Sequence, residues 1–377
     1  MRQRHAALLA SLLLTGCAGR TGPAATMGAG DDPELMMRQR AAADAYAAGD
    51  LAEAQAGFET LAKVDPKASA PHMGLAAVAL RRHDEATAQA ELEQVLARSP
   101  EDRRTRQLYA GVLVRTGQLD LARDQLRLLT QRGLGRIEHQ LLGALHVKAG
   151  RLTQAAESFD QLLRRDADDP AGHLGMGVVS AVAGDREGAL VHLERALGLD
   201  PKNAVALYDL SLVHYVRGDY ARAAAFGERA VAADPWFPPA ANNLAAALVQ
   251  LGRDDDAERA LDAALSEHPR FAPAHSNLGV LRMRARDLDG AALAFDEAAT
   301  LAPTQAAYPF NLGLALYQKG DLDHARDAFA KALAIDPQHR AARANLEALD
   351  ELRRTSGNTP KPLPVQVAAL AVGSFAP

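Results

Sequence analysis

Cysteine is nearly absent from this chain of 377 residues, occurring once, at Cys17. A lone thiol excludes an intrachain disulfide, a thiolate metal cluster and a dithiol redox pair. Aromatic residues are also scarce, at 5% against 48% hydrophobic residues. The core must therefore be built from small aliphatic side chains, mainly Ala and Leu, which suit closely packed helices better than sheets. Charge of neither sign dominates. A net charge of −5 and a pI of about 6.2 leave no basic surplus for a nucleic-acid backbone, so no nucleic-acid partner is expected.

Signatures of chemistry are missing too. There is no Gly-rich phosphate loop, no Gly-x-Ser-x-Gly nucleophile elbow and no His-Glu-x-x-His zinc helix. No catalytic residue, metal site or cofactor is expected, and the chain is not read as an enzyme.

The N-terminus carries Arg2 and Arg4, then Ala6 to Leu14, apolar apart from Ser11, then Leu14-Thr15-Gly16-Cys17. A basic start, a short apolar core and small residues after it form a secretory signal. The apolar run is too short to span a bilayer as a helix. Leu14-Thr15-Gly16-Cys17 resembles the lipobox of bacterial lipoproteins, which implies cleavage after residue 16 and acylation of Cys17. Several acyl chains together anchor a protein stably. By the same resemblance the chain belongs in the envelope of a Gram-negative bacterium. Ala18 and Gly19 lack the aspartate that retains enteric lipoproteins at the inner membrane, so the outer membrane, facing the periplasm, is the default. Residues 17–34 read as a flexible tether with a reach of about 20 Å.

The rest of the chain keeps a beat of 34 residues, clearest in Asn243-Leu244-Ala245, Asn277-Leu278-Gly279, Asn311-Leu312-Gly313 and Asn345-Leu346. A fixed period of this size marks an array of stacked supersecondary units. Nine repeats fit between residues 35 and 337, each with two amphipathic helices around a turn. The turn position holds Gly49, Gly117, Gly150, Gly184, Gly218, Gly252 and Gly320, with His83 and Arg286 in the second and eighth repeats. Five residues on stands Ala54, Ala88, Ala122, Ala155, Ala189, Ala223, Ala257, Ala291 or Ala325. A methyl is wanted there, where the two helices cross closest. Seven residues before each turn is another small residue, such as Ala42, Gly143 or Gly313. Four beyond the alanine a large one usually follows, such as Phe58, Leu92 or Phe329. Asp-Pro, as in Asp65-Pro66 and Asp336-Pro337, closes many second helices. Residues 338–354 read as a capping helix, and residues 355–377 as a disordered tail with a mildly apolar end.

This pattern resembles the tetratricopeptide repeat (TPR). The resemblance implies an all-α, right-handed α-solenoid of about nine helix hairpins with a C-terminal cap. The tryptophan of that family's first helix is absent, and His72, His139, His173 and His275 stand in its slot, read as packing residues rather than ligands. The fourth repeat arrives one residue early, after Gln131-Arg132-Gly133-Leu134-Gly135, where a local change of pitch is expected.

First helices line the concave face in TPR superhelices, and Asn243, Asn277, Asn311 and Asn345 resemble an asparagine ladder that holds a peptide main chain. An amide offers both a donor and an acceptor, so it can pair with a peptide unit without reading its side chain. Tyr208, Tyr215 and Tyr317, with Asn242, Val249, Met283 and Leu314, would complete the lining. The alternative is that Asn is common at this slot and makes local hydrogen bonds. Asp209 holds the slot in the sixth repeat. A stretch from Arg98 to Arg136, with nine arginines against four acidic residues, reads as a solvated helix face or as contact for an anionic surface. Asp254-Asp255-Asp256 reads as acidic capping of a helix start. The lysines of chaperone-binding TPR clamps are missing.

The function these features imply is a lipid-anchored, non-enzymatic scaffold. It would bind a protein or peptide segment in its groove and resemble the TPR lipoproteins of Flp (type IV) pilus or secretion-system assembly. Alternatives are an adaptor for periplasmic hydrolases or proteases, a TPR-containing enzyme such as a glycosyltransferase, and a cytosolic co-chaperone with a misread signal.

Overall fold

The computed structural model describes residues 33–130 and 133–354. The expected signal segment, Cys17, most of the tether and the tail lie outside the described residues. Among those described, nineteen α-helices occur and no strand. The nine hairpins are α1 (Pro33–Ala48) with α2 (Leu51–Val64), α3 (Ser69–Arg81) with α4 (Glu85–Arg98), and α5 (Arg103–Thr116) with α6 (Leu119–Thr130). Next come α7 (Arg136–Lys148) with α8 (Leu152–Arg165), α9 (Pro170–Ala183) with α10 (Arg186–Leu199), and α11 (Ala204–Arg217) with α12 (Tyr220–Ala233). The last are α13 (Pro238–Gln250) with α14 (Asp254–Glu267), α15 (Ala272–Arg284) with α16 (Leu288–Leu301), and α17 (Ala307–Lys319) with α18 (Leu322–Ile335). The cap is α19 (Arg340–Arg354). The array thus begins at Pro33, two residues before the expected start.

The division between two compact units, residues 1–213 and 214–377, falls within α11. In the first unit each helix from α1 to α10 packs on its sequence neighbour, and the first helices α1 and α3, α5 and α7, and α7 and α9 also touch. In the second unit α12 to α19 pack in series, and α13 touches α15. This is an α-solenoid of helix hairpins, as the period predicted.

The repeated positions act as their spacing implied. All nine alanines of the second helices, from Ala54 to Ala325, are 0% exposed. At the turn, Arg286 adopts the left-handed conformation that glycine holds elsewhere, with φ 64 against 89 at Gly320. Second helices start on an aspartate N-cap in several repeats: Asp287 Oδ1 accepts from Gly290 N at 2.9 Å and Asp185 Oδ1 from Gly188 N at 2.9 Å. The aspartates of Asp-Pro cap the exit instead, Asp336 Oδ1 accepting from Gln338 N at 2.9 Å.

Large and small residues are matched in six of the nine hairpins, while Ala42 with Phe58 and Gly177 with Leu193 depart from that rule. Where the large residue is Phe159, Phe295 or Phe329, its partner is Gly143, Gly279 or Gly313; a Cβ on Gly313 would lie 2.6 Å from the Phe329 ring, and one on Gly279 2.8 Å from Phe295. Where it is Leu92, Leu126 or Leu261, the partner is Ala76, Ala110 or Ala245. Gly175, in the first helix of the next hairpin, also lies against the Phe159 ring. Packing density near that of a crystal leaves no slack for the extra methyl.

Two local readings are sharpened. Asp254, Asp255 and Asp256 occupy the first turn of α14, but the N-cap is Arg253, whose side chain makes no cap bond. Asp254 instead holds Arg284 of α15 at 2.8 Å, and Asp256 holds Arg253 at 2.7 Å. The early fourth repeat, which lacks Asp-Pro, is stitched by an ionic junction. Glu138, 1% exposed, takes Arg103 at 2.6 Å, Gln107 Nε2 at 2.6 Å and the Gly135 backbone N–H at 2.9 Å. Arg165 reaches the Leu134 carbonyl at 3.2 Å, and Arg136 holds Asp169.

Candidate binding face of the second unit

The asparagine series sits in the first helices and the cap, and the structure places all four amides beneath the surface. Asn243 is 0% exposed, Asn277 5%, Asn311 8% and Asn345 0%. Asn277 Nδ2 donates to Asn242 Oδ1 across 2.8 Å, linking α15 to α13. The bond runs from one repeat to a residue 35 positions earlier. Thirty-five positions before Asn345 stands Phe310, which has no polar side-chain atom, and both amide atoms of Asn345 are buried without a hydrogen-bond partner. A buried amide in that condition is destabilising, because its hydration is lost and nothing replaces it.

The tyrosines differ among themselves. Tyr208, in the first unit, is buried, and burial pushes its hydroxyl above the usual tyrosine range. Tyr215, in the second, is half-buried against the cluster of Leu244, Leu248 and Leu281, edge-on to Tyr220 at 5.3 Å, and burial pushes it up to about 12. Tyr317 is half-buried beside Val280, Met283 and Leu314, with its hydroxyl raised by burial. Met283 and Leu314 are core residues, at 5% and 2% exposure. This face of α15 and α17 is thus apolar and closely packed, with Phe310 and Tyr317 still partly at the surface.

A different feature, not picked out by the sequence, is open. A groove of about 830 Å³ is lined by Leu293 of α16, Leu312 and Leu316 of α17, and residues of α18 that include Asp327 and Lys331. Leu293 is 69% exposed. A signal for it existed. The slot two residues after the buried alanine holds a charged side chain in Asp124, Glu157, Arg259 and Asp327, and Ala or Val in the other repeats. Leucine stands there in the eighth repeat alone.

Three of the four histidines of the tryptophan slot use their ring nitrogens. His275 Nε2 bonds the Pro269 carbonyl at 2.8 Å, His72 Nε2 the Pro66 carbonyl at 3.2 Å, and His173 Nε2 the Ala167 carbonyl at 2.9 Å. His139 is buried, and that burial, then Arg165, holds its imidazole below the usual range. His173 Nδ1 faces His192 Nδ1 at 3.2 Å. In the neutral form of His173, Nε2–H donates to the carbonyl and Nδ1 accepts, so His192 Nδ1 then supplies the proton between them. Among the described residues no group of three or more His, Cys, Asp or Glu is placed to hold a metal ion.

The arginine-rich stretch is largely engaged locally. Arg103 pairs with Glu138, Arg123 with Asp120, Arg136 with Asp169, and Arg106 with Gln125 and the Pro100 carbonyl. Arg115, its side chain 8% exposed, lies 3.7 Å from Glu85. No described helix is long and apolar enough to cross a membrane.

Comparison with known proteins places these hairpins. Models of the tetratricopeptide repeat match residues 79–145 and 217–279, residues 141–204 and 181–235, and residues 310–339, together more than half of the chain. No curated protein matches it in sequence. In the crystal structure of the APC/C hetero-tetramer Cut9-Hcn1, a chain is similar in fold, with TM-score 0.60 and 17% identity over 79% of this chain; the match spans 59% of that chain's length. PilW, described as a widely conserved type IV pilus biogenesis factor, is similar over 56% of this chain and 98% of its own, with TM-score 0.50 and 20% identity. YrrB, described as a TPR protein with an unusual peptide-binding site, is 25% identical over 50% of this chain and 97% of its own, with TM-score 0.40.

Proposed function

Because this chain belongs to the tetratricopeptide repeat family, whose folds bind peptide or protein partners, we propose that it is a non-enzymatic, membrane-anchored scaffold in the envelope of a Gram-negative bacterium. It is anchored by acyl chains on Cys17, faces the periplasm, and holds partner proteins during assembly of a pilus or secretion system. The observation that carries the anchoring is the sole cysteine, set directly behind Leu14-Thr15-Gly16 and a short apolar segment. A preformed stack of hairpins need not be ordered on binding, so the partner alone bears the ordering entropy.

The partner lies on the first-helix side of the second unit, against Tyr215 and Tyr317. Asn243, Asn277, Asn311 and Asn345 lie buried beneath that face, and Asn277 ties α15 to α13 through Asn242. Two experiments test this reading. Labelled palmitate is fed to cells making the wild type or Cys17→Ala; equal labelling of the two sinks the anchor. A crosslinking pull-down from native envelopes is expected to recover pilus or secretion-assembly components, less with Tyr215→Ala/Tyr317→Ala. Recovery of hydrolases or proteases instead overturns the assembly role.

A further inference from the structure

The open groove has a specific chemistry. Leu293, Leu312 and Leu316 supply its apolar part. Its charged lining is Asp289, Asp296, Asp321 and Asp327 against Lys319 and Lys331, four acidic to two basic groups and so a net −2. Lys319 is already held by Asp289 at 2.5 Å. The surface therefore suits an occupant that is apolar and mildly cationic.

Residues 355–377 have that chemistry. Lys361 is the single charged side chain among them, and Leu363, Val365 and Val367 alternate with Pro364 and Gln366. Pro360, Pro362 and Pro364 fix φ, remove donors and bar a helix, so less chain entropy is lost on docking.

The segment also starts in the right place. Arg326 of α18 bonds Asp350 of α19 at 2.7 Å, and Arg353 of α19 lies 4.0 Å from Asp323 of α18. These ties set the last turn of α19 beside the first turn of α18, where Asp321, His324 and Asp327 border the groove. Residues 355–360, fully extended, reach about 20 Å, more than the roughly 10–12 Å width of a helix that must be crossed.

We propose that residues 361–367 of this chain occupy the groove, with Lys361 at its acidic border and Leu363, Val365 and Val367 on Leu293, Leu312 and Leu316. The proposal is independent of any partner or membrane. To test it, a benzophenone amino acid replaces Val365 in the full chain, and photoproducts are mapped by mass spectrometry. The expected crosslinks fall in α16, α17 and α18 of the same chain. Leu293→Asp, at a site too exposed to unfold the protein, lowers their yield about tenfold, and Lys361→Glu lowers it as well, both with unchanged helical content. Crosslinks to other elements, absence of crosslinks, or crosslinks between heavy- and light-labelled copies would each overturn the proposal, the last in favour of an exchange between two chains.

Discussion

His275 binds the carbonyl oxygen of Pro269 through Nε2, across 2.8 Å, and so ties the head of α15 to the loop that precedes it. The same six-residue step recurs from His72 to Pro66, from His173 to Ala167, from Arg106 to Pro100 and from Arg343 to Pro337. At these five positions, what the slot keeps from tryptophan is an N–H donor on a bulky side chain. Histidine and arginine both supply it.

That bond predicts a split between two aromatic replacements. His275→Phe keeps a ring but loses the donor, and a typical net hydrogen bond of about 0.5–1.5 kcal/mol is removed. Amide exchange in the loop before α15 should accelerate roughly two- to tenfold by mass spectrometry. His275→Trp restores a donor and should leave the rate close to wild type. Equal rates in the two variants would show that the nitrogen is idle.

The match between Phe329 and Gly313 predicts a rescue. Gly313→Ala drives a methyl into the ring and should destabilise by about 1–3 kcal/mol, as overpacking does. Adding Phe329→Leu recreates the Ala/Leu pairing of Ala245 with Leu261, and most of the loss should return in thermal or denaturant unfolding. If the double variant is no more stable than Gly313→Ala alone, the pairing is coincidental.

Asn345 and Asn277 occupy one slot yet should respond oppositely. Replacing a buried, unsatisfied amide by an apolar group of similar shape is neutral or stabilising, so Asn345→Leu should gain up to about 1 kcal/mol. Asn277→Leu strands the Asn242 amide, and the loss should be about 1–3 kcal/mol. Unfolding curves decide it: a clear loss of stability in Asn345→Leu would mean that this amide has a use the structure does not explain.

Acid should weaken the first unit. Burial holds His139, His146 and His192 below the usual imidazole range; Arg165, Arg151 and His173 respectively add to that effect. In the interval below about 6.5 the unfolded chain binds protons that the folded chain refuses. The stability from these groups is therefore complete above that value and lost as pH falls through it towards their lowered folded values. The melting temperature should fall from about pH 7.5 to about 5.5, and by less in His192→Gln. An identical pH response in wild type and variant would remove His192 from the account.

Much of the fold could be read from the sequence because its rules are local. The alanines of the second helices, the turn glycines and the Asp-Pro exits act within one hairpin, and spacing alone locates them. Arg286 stands out in the sequence as an exception at the turn, and it is one of the non-glycine residues with positive φ. The face of each asparagine is harder to judge. Whether Asn277 meets solvent or Asn242 depends on how closely two first helices approach, which a period of 34 does not state. The arginine stretch is opaque for a similar reason. Arg103 and Arg136 find acids 35 and 33 positions away, Glu138 and Asp169, so their engagement is invisible until the hairpins are stacked. The groove at Leu293 likewise depends on the spacing between second helices.

Phe159 lies against Gly143 of its own hairpin and Gly175 of the next, so it belongs to both. A gene rearrangement that cut the array at repeat boundaries would separate the ring from half of its seat. Duplicating the fourth repeat would set a second Leu141, the equivalent of Gly175, against the first copy of Phe159. The heritable module at that point is a repeat plus the opening helix of its successor, and the order of repeats in this chain is to that extent locked.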